Sequence, residues 1–211
     1  MKIKEKIILI GGGGHCRAVI DVLESENKFD IAGIVDNNIK NEVLGYPLLG
    51  KDNDLPQLIK KYKNVVVTVG QIESPLIRIK LYDIIKKFDG NLPTIISPYS
   101  RVTRSSILQE GTVIMHHVLI NSNSKIGINN IINTGSIVEH DSIIGDFSHI
   151  STKAVINGGS EIGNHCFIGS GSIINENKTI SSNCIIGSGS VVTRNILKPG
   201  IYAGVPCKKI S

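Results

Sequence analysis

The residues best suited to chemistry in this chain stand together at Glu139-His140-Asp141, a histidine between two carboxylates. An imidazole titrates near neutrality, and a carboxylate on one ring nitrogen orients the ring and raises the basicity of the other. His140 therefore reads as a general base, with the neighbouring carboxylates as its partners. Asn133, six residues before Glu139, could hydrogen-bond whatever His140 deprotonates, and His149 follows nine residues after His140. A second kind of site stands near the start, where Gly11-Gly12-Gly13-Gly14 separates an apolar run (Ile7–Ile10) from a helical pattern through Val19, Ile20 and Leu23. Unpaired backbone N–H groups at a helix start favour anions, so these glycines read as a phosphate cradle. They do not meet the dinucleotide fingerprint, because Cys16 stands at its third glycine position, and NAD is not expected. Asp36, with Asn37 beside it, ends a second apolar run (Ile31–Val35) and is placed to bind a ribose or a base. Gly70 closes a third run (Val65–Val69) where a ligand would rest against the sheet edge.

Two different architectures must position these residues. From Lys6 to about residue 92, strand-like runs alternate with helical ones, Leu55–Tyr62 and Leu76–Phe88, the latter with Ile77, Leu81, Ile84 and Ile85 on one face. That alternation predicts a small Rossmann-like parallel α/β sheet over residues 1–95, with Gly90 and Pro93 marking its end. After Pro98 an apolar residue recurs every six positions, from Val102, Leu108 and Ile114 through to Ile186 and Val192, sixteen times in one phase without a miss. At a chance of about 0.4 per position, set by composition, such a run does not arise by accident. A small residue follows at the fourth place (Ser136, Ser142, Ser148, Ala154, Ser160), and glycine at the next place in residues 127, 145, 163, 169 and 187. Three six-residue units close one triangular coil of eighteen residues, the in-phase side chains stack inward, and glycine is expected to relieve the backbone at the corners. Residues 96–211 are thus expected to form a parallel β-helix of hexapeptide repeats.

Composition agrees with a thin, repetitive core: aromatics make up 4% with no Trp, so Ile and Val must fill the interior. The net charge of +5 suits anionic small molecules, and no basic block with interleaved aromatics points to nucleic acid. The four cysteines (16, 166, 184, 207) show no zinc spacing, so no metal is expected and a reduced compartment is. The start is charged (Lys2, Lys4, Glu5, Lys6) and its apolar run stops at Ile10, too short for a signal core. With no membrane-length run either, the expectation is a cytoplasmic protein without a membrane span.

Several stretches together resemble the bacterial sugar acetyltransferases of the left-handed β-helix type, which include the UDP-4-amino-sugar N-acetyltransferases and the sialic acid O-acetyltransferases. They are Ile8-Leu-Ile-Gly-Gly-Gly-Gly-His15, Gly33-Ile-Val-Asp36, Val67-Thr-Val-Gly70, Asn133-Thr-Gly-Ser-Ile-Val-Glu-His-Asp141, Gly145-Asp-Phe-Ser-His149 and Ala203-Gly-Val-Pro206. The resemblance implies acetyl-CoA as co-substrate, lying between neighbouring β-helices of a homotrimer, and a sugar nucleotide between the α/β domain and a β-helix. It implies His140 as base with Asp141 as orienting acid, Asn133 toward the acceptor, and His149, Gly158, Ser170 and Ser188 toward the cofactor. The substrate-binding set is then Gly12, Gly13, Gly14, Asp36, Asn37 and Gly70. Asp141 is shorter than the Glu of the family pattern, and Ser97 stands where several relatives have His. The leading expectation is N-acetylation of a UDP-linked 4-amino-4,6-dideoxy sugar in bacterial glycan biosynthesis; the alternatives are O-acetylation of a sialic-acid-like sugar and a non-catalytic scaffold. A γ-class carbonic anhydrase would need a histidine pair five residues apart in a zinc site, which is absent, and a serine acetyltransferase would begin with a helical domain.

Overall fold

The computed structural model describes residues 4–211, so Lys2 of the charged start lies outside it. The first part is an α/β domain. Strands β1 (Glu5–Ile10), β2 (Phe29–Val35), β4 (Tyr46–Gly50) and β5 (Asn64–Val67) run parallel in the order β4-β2-β1-β5, and β3 (Glu42–Val43) adds an antiparallel edge to β4. β1 is central and apolar on both faces. Ile7 and Leu9 pack under α1 (Gly14–Glu26), while Ile8 and Ile10 face α2 (Leu55–Tyr62) and α3 (Leu76–Lys87). The β3–β4 hairpin has no counterpart in the sequence expectation, because a five-residue run carrying Pro47 argues against a strand.

The inward face of α3 also differs from the expected one. Leu81 and Ile85 are buried, but Ile77 is 62% exposed and Arg78 takes the interior position. A buried guanidinium is costly unless most of its donors are satisfied, and among the described residues only Nε–H lacks a partner. Here Nη1 donates to the carbonyls of Val67 (3.3 Å) and Val69 (2.7 Å), and Nη2 to the carbonyl (2.7 Å) and side-chain oxygen of Asn129. This arginine pins the end of β5 to the coil.

Residues from Ile95 onward wind into a left-handed β-helix. Each short strand pairs, in parallel, with the strands eighteen residues before and after, as Ile131 does with Val113 and His149. Three faces result, of six, five and eight strands; the last includes the closing hairpin Gly200–Ala203/Lys208–Lys209. Its first strand is Ile95–Ile96, one unit earlier than Val102, and Ile96 is in phase with the rest. From Ile114 to Val192 the in-phase residues are at most 2% exposed and form one continuous core. The small residues do more than fit a tight corner. Ser142, Ser148, Ser160 and Ser172 each donate a hydroxyl to the carbonyl fifteen residues on, tying one rung to the next.

The role of the repeated glycines departs from expectation. Gly127, Gly145, Gly163, Gly169 and Gly187 have no positive φ; the left-handed positions fall at the corners, at Gly135, Asp141, Gly159 and Asn177 among others. What Gly163 and Gly169 avoid is collision, since a Cβ on either would lie 2.5 Å from the backbone nitrogen of the next rung's Ser182 or Ser188. No helix of the described residues is long and apolar enough to cross a membrane. Gly163→Ala should therefore destabilise the coil by about 1–3 kcal/mol, the usual scale of overpacking. A melting temperature unchanged by that substitution would contradict the collision.

Candidate active site

His140 stands at the corner between the six- and five-stranded faces, in the turn after Ile137–Val138. Its Nδ1 lies 2.8 Å from Asp141 Oδ2, and a carboxylate only accepts, so Nδ1 carries the proton and Nε2 holds the free lone pair. Asp141, itself at φ +59°, also accepts from Asn123 Nδ2 at 2.7 Å. That hydrogen bond and the one from His140 hold its carboxyl below the usual range. The shorter acid thus still reaches the imidazole. Glu139 faces another way and accepts from Asn121 (2.8 Å). One rung on, Gly158 lies directly against the ring: a Cβ there would be 2.7 Å from His140 Nε2. Gly159 N–H is taken by the His140 carbonyl (2.9 Å), which leaves the Gly158 N–H for a ligand. A groove of about 630 Å³ opens here, lined by Glu139, His140, Asp141, Asn157, Gly158 and Glu176.

The other expected residues occupy a different edge of the same prism. Asn133, Ser170 and Ser188 stack at the corner between the eight- and six-stranded faces, with Ser151 Oγ 2.9 Å from Ser170 Oγ. His149 lies on the eight-stranded face beneath the α/β domain, 8% exposed. Both its nitrogens are engaged, Nδ1 with the Gln71 carbonyl (2.6 Å) and Nε2 with Asn133 Nδ2 (3.1 Å). Expected at the thioester end, it has no free ring atom to offer there. A single chain therefore does not bring His140 together with Asn133, His149, Ser170 or Ser188.

Around the glycine run the structure sorts the residues sharply. Asp36 accepts the N–H groups of Gly12 (2.7 Å), Asn38 (2.7 Å) and Ile39 (3.0 Å). Burial alone would raise its pKa, but these three bonds outweigh it and hold the carboxyl below its ordinary value. Asp36 thus closes the loop rather than standing free, and Asn37 accepts from the Asp52 N–H (3.1 Å). Gly12 is fixed by Ile39, 2.7 Å from where its Cβ would be, whereas Gly13 and Gly14 would meet nothing within 4 Å and Gly70 only His15. Gly13 precedes α1 with no side-chain cap. The fold does not demand glycine at Gly13 or Gly14, and the space beside both is open. Ser97, by contrast, is 1% exposed and bonded to His116, whose other nitrogen meets Asp21 (2.6 Å).

Sequence reasoning gave no role to His15, Gln71 or Arg78, which gather between this mouth and the coil. His15 Nε2 is buried and unpartnered. Burial, with the Arg78 charge nearby and then His149, pushes His15 down to about 3. Burial is also the main cause that takes His149 to about 4.

Over 98% of this chain and 97% of the other, the structure matches a histidine-to-asparagine variant of perosamine N-acetyltransferase from Caulobacter crescentus, in complex with CoA and GDP-perosamine, at 33% identity and a TM-score of 0.93. The chain belongs to the left-handed β-helix sugar acetyltransferases. The acetyltransferase domain of PglB from Neisseria gonorrhoeae, in complex with acetyl coenzyme A, is 27% identical, with a TM-score of 0.93 over 99% of this chain and 100% of that one. WeeI from Acinetobacter baumannii shares the fold at 24% identity and a TM-score of 0.86, over 98% of this chain and 100% of that one. Residues 6–88 match the PglD N-terminal domain family. No curated protein matches the sequence.

The two buried histidines predict that this acetyltransferase loses stability in acid. Both would titrate near 6.5 when unfolded, so between that pH and about 4 the unfolded chain binds more protons. Stability should fall as pH drops through that window, by up to about 1.4 kcal/mol per pH unit for each group. Melting temperatures read from pH 7 to 4 should decline, and His149→Phe should flatten the decline; a flat wild-type profile would contradict the neutral, buried state.

Proposed function

We propose that this protein moves an acetyl group from acetyl-CoA to the amine of a nucleotide-linked 4-amino-4,6-dideoxy sugar, UDP-linked in the finer reading, within bacterial glycan biosynthesis. The observation that carries the chemistry is the His140 ring, held by Asp141 at Nδ1 and presenting a bare Nε2 beside Gly158. The amine nitrogen attacks the thioester carbonyl carbon directly. Its proton passes to His140 Nε2, the C–S bond breaks, and CoA leaves as the thiol once it is protonated. The Gly158 N–H is the donor offered to the oxyanion.

A nucleotide acceptor, rather than a free acidic sugar, is supported by Gly13 and Gly14, whose open approach at an uncapped helix start suits a diphosphate. The related enzyme described with GDP-perosamine supports the same class of acceptor. A homotrimer is supported by the separation of the two corner columns: His140 and Gly158 stand on one edge, Asn133, Ser170 and Ser188 on another. CoA lying between neighbouring copies would touch both. Five of the six outward residues of the six-stranded face, Leu119, Ile137, Val155, Ile173 and Val191, are apolar and suit burial against a neighbour; the first strand presents Arg101.

His140→Ala should lower acetylation by about a hundredfold, the scale of a lost general base. Thiol release from acetyl-CoA measures it, and a loss under threefold in a folded variant would remove His140 from that role. Assayed against UDP-, GDP- and dTDP-linked amino sugars and a free sialic acid, the wild type should turn over a UDP sugar fastest. Preference for GDP would replace the uridine, and turnover of sialic acid alone would replace N- by O-acetylation.

Gly14→Ala separates the cradle from the fold. As the open first residue of α1 it should leave stability unchanged or raise it by less than the ~0.5–1 kcal/mol of a helix interior. It should nonetheless raise the KM for the nucleotide sugar several-fold without affecting that for acetyl-CoA. Equal KM values in wild type and variant would place the phosphates elsewhere.

A further inference from the structure

The groups that fix Asn133 determine what it can offer a substrate. Its Oδ1 accepts the backbone N–H of Thr134 at 2.8 Å, which settles the amide orientation without reference to the histidine. Nδ2 is then the atom facing His149 Nε2, 3.1 Å away. An amide nitrogen only donates, so His149 Nε2 must be unprotonated. On the other side, His149 Nδ1 lies 2.6 Å from the Gln71 carbonyl, which only accepts, so Nδ1 must carry the proton. Both neighbours demand the same tautomer, with the proton on Nδ1. Phe167 packs against the ring edge-on at 5.2 Å and holds its plane.

The Gln71 carbonyl is itself anchored. Gln71 Nε2 donates to the Phe147 carbonyl (2.8 Å), and Arg78 grips Val67 and Val69 just before it. The chain of contacts therefore begins at Gly70, where the α/β domain meets its ligand mouth, and ends at the coil corner.

We propose that Gln71, His149 and Asn133 form a positioning relay that presents Asn133 as a hydrogen-bond donor to an oxygen of the acceptor sugar. With Oδ1 facing both the N–H (2.8 Å) and the hydroxyl (3.5 Å) of Thr134 and one Nδ2 proton given to His149, the second Nδ2 proton is what Asn133 has left. It cannot accept a proton from the attacking amine. It can hold a sugar hydroxyl or ring oxygen, and so orient the pyranose whose nucleotide sits at Gly13 and Gly14. His149 is then a positioning residue that acts through Asn133, not a contact of the thioester. This rests on the acetyltransferase reading for its substrate, but the tautomer does not.

Two measurements test it. Nitrogen NMR on histidine-labelled protein at pH 7 should show one imidazole, absent in His149→Phe, with its proton on Nδ1, the minority form in free histidine; a proton on Nε2 overturns the relay whether or not the protein is an acetyltransferase. In kinetics, Asn133→Ala and His149→Phe should each raise the KM for the nucleotide sugar about tenfold, the worth of one buried hydrogen bond. Neither should move the KM for acetyl-CoA beyond twofold. The double variant should be no worse than Asn133→Ala alone, because the histidine works only through the asparagine. His149→Gln, whose amide can accept from Asn133 and donate to Gln71, should restore most of the loss and serves if the phenylalanine variant does not fold. Additive effects, a raised acetyl-CoA KM, or no rescue by Gln would each overturn the proposal.

Discussion

Everything in this molecule is indexed to an eighteen-residue repeat. Rungs stack by backbone bonds such as Glu139 N–H to the Ile156 carbonyl (2.9 Å) and Gly145 N–H to Ile162 (2.8 Å), and the in-phase aliphatic column fills the space between the three faces. Adjacent rungs are then separated by the spacing of hydrogen-bonded strands, roughly 4.8 Å. A residue's number therefore fixes both its height and its edge. Residue 140 must stack on residue 158, which is why a glycine stands there: the imidazole folds up over the next corner, and any side chain would displace it. The same arithmetic sends Asn133, Ser170 and Ser188 to a different edge from His140, with no freedom for a loop to correct it.

The second constraint is the seam where the α/β domain meets the coil. Arg78 brings a full charge into it, and the groups that receive the guanidinium are carbonyl and amide oxygens, not a carboxylate. Oxygen dipoles satisfy both Nη groups, though not Nε–H, and they do not cancel the charge. The nearby imidazoles consequently stay neutral, their pKa values lowered first by burial and then by this cation. Neutrality is what makes His149 useful as a two-ended connector, since a protonated ring would donate at both nitrogens and repel the Asn133 amide. A structural arginine thus reinforces, after burial, the neutral state of the histidine bonded to Asn133.

These two constraints differ in how far they can be read from the chain. The coil is legible because its period is a property of consecutive residues, and even the Glu139-His140-Asp141 corner can be placed by counting. The seam is not, because its partners are distant in sequence: Arg78 and Asn129 are 51 residues apart, Gln71 and His149 are 78. Hydrophobic pattern alone puts Ile77 inside α3, since nothing in that helix reveals four oxygens waiting for a guanidinium. His149 looked like a surface ligand because counting gives its face but not the domain that covers it. A repeated glycine in the coil signals left-handed φ and close approach equally well, and only the backbone of Gly163 and its distance to Ser182 distinguish them. Asp36 is similar, since its place at a strand end does not reveal that it accepts the N–H groups of Gly12, Asn38 and Ile39 and braces the loop.

The seam and the coil also divide the labour of an acyl transfer. The edge carrying His140 is open, and its imidazole is held by a neighbouring acid and lies against a glycine, as the proposed base would require. The edge carrying Asn133 takes its orientation from the α/β domain through a buried histidine. A reaction that uses both edges must draw them from two copies of the chain, because the prism holds them apart at a fixed angle. Under the proposed function, recognition of the acceptor would belong to the copy whose α/β domain holds the nucleotide, and proton removal to the copy beside it.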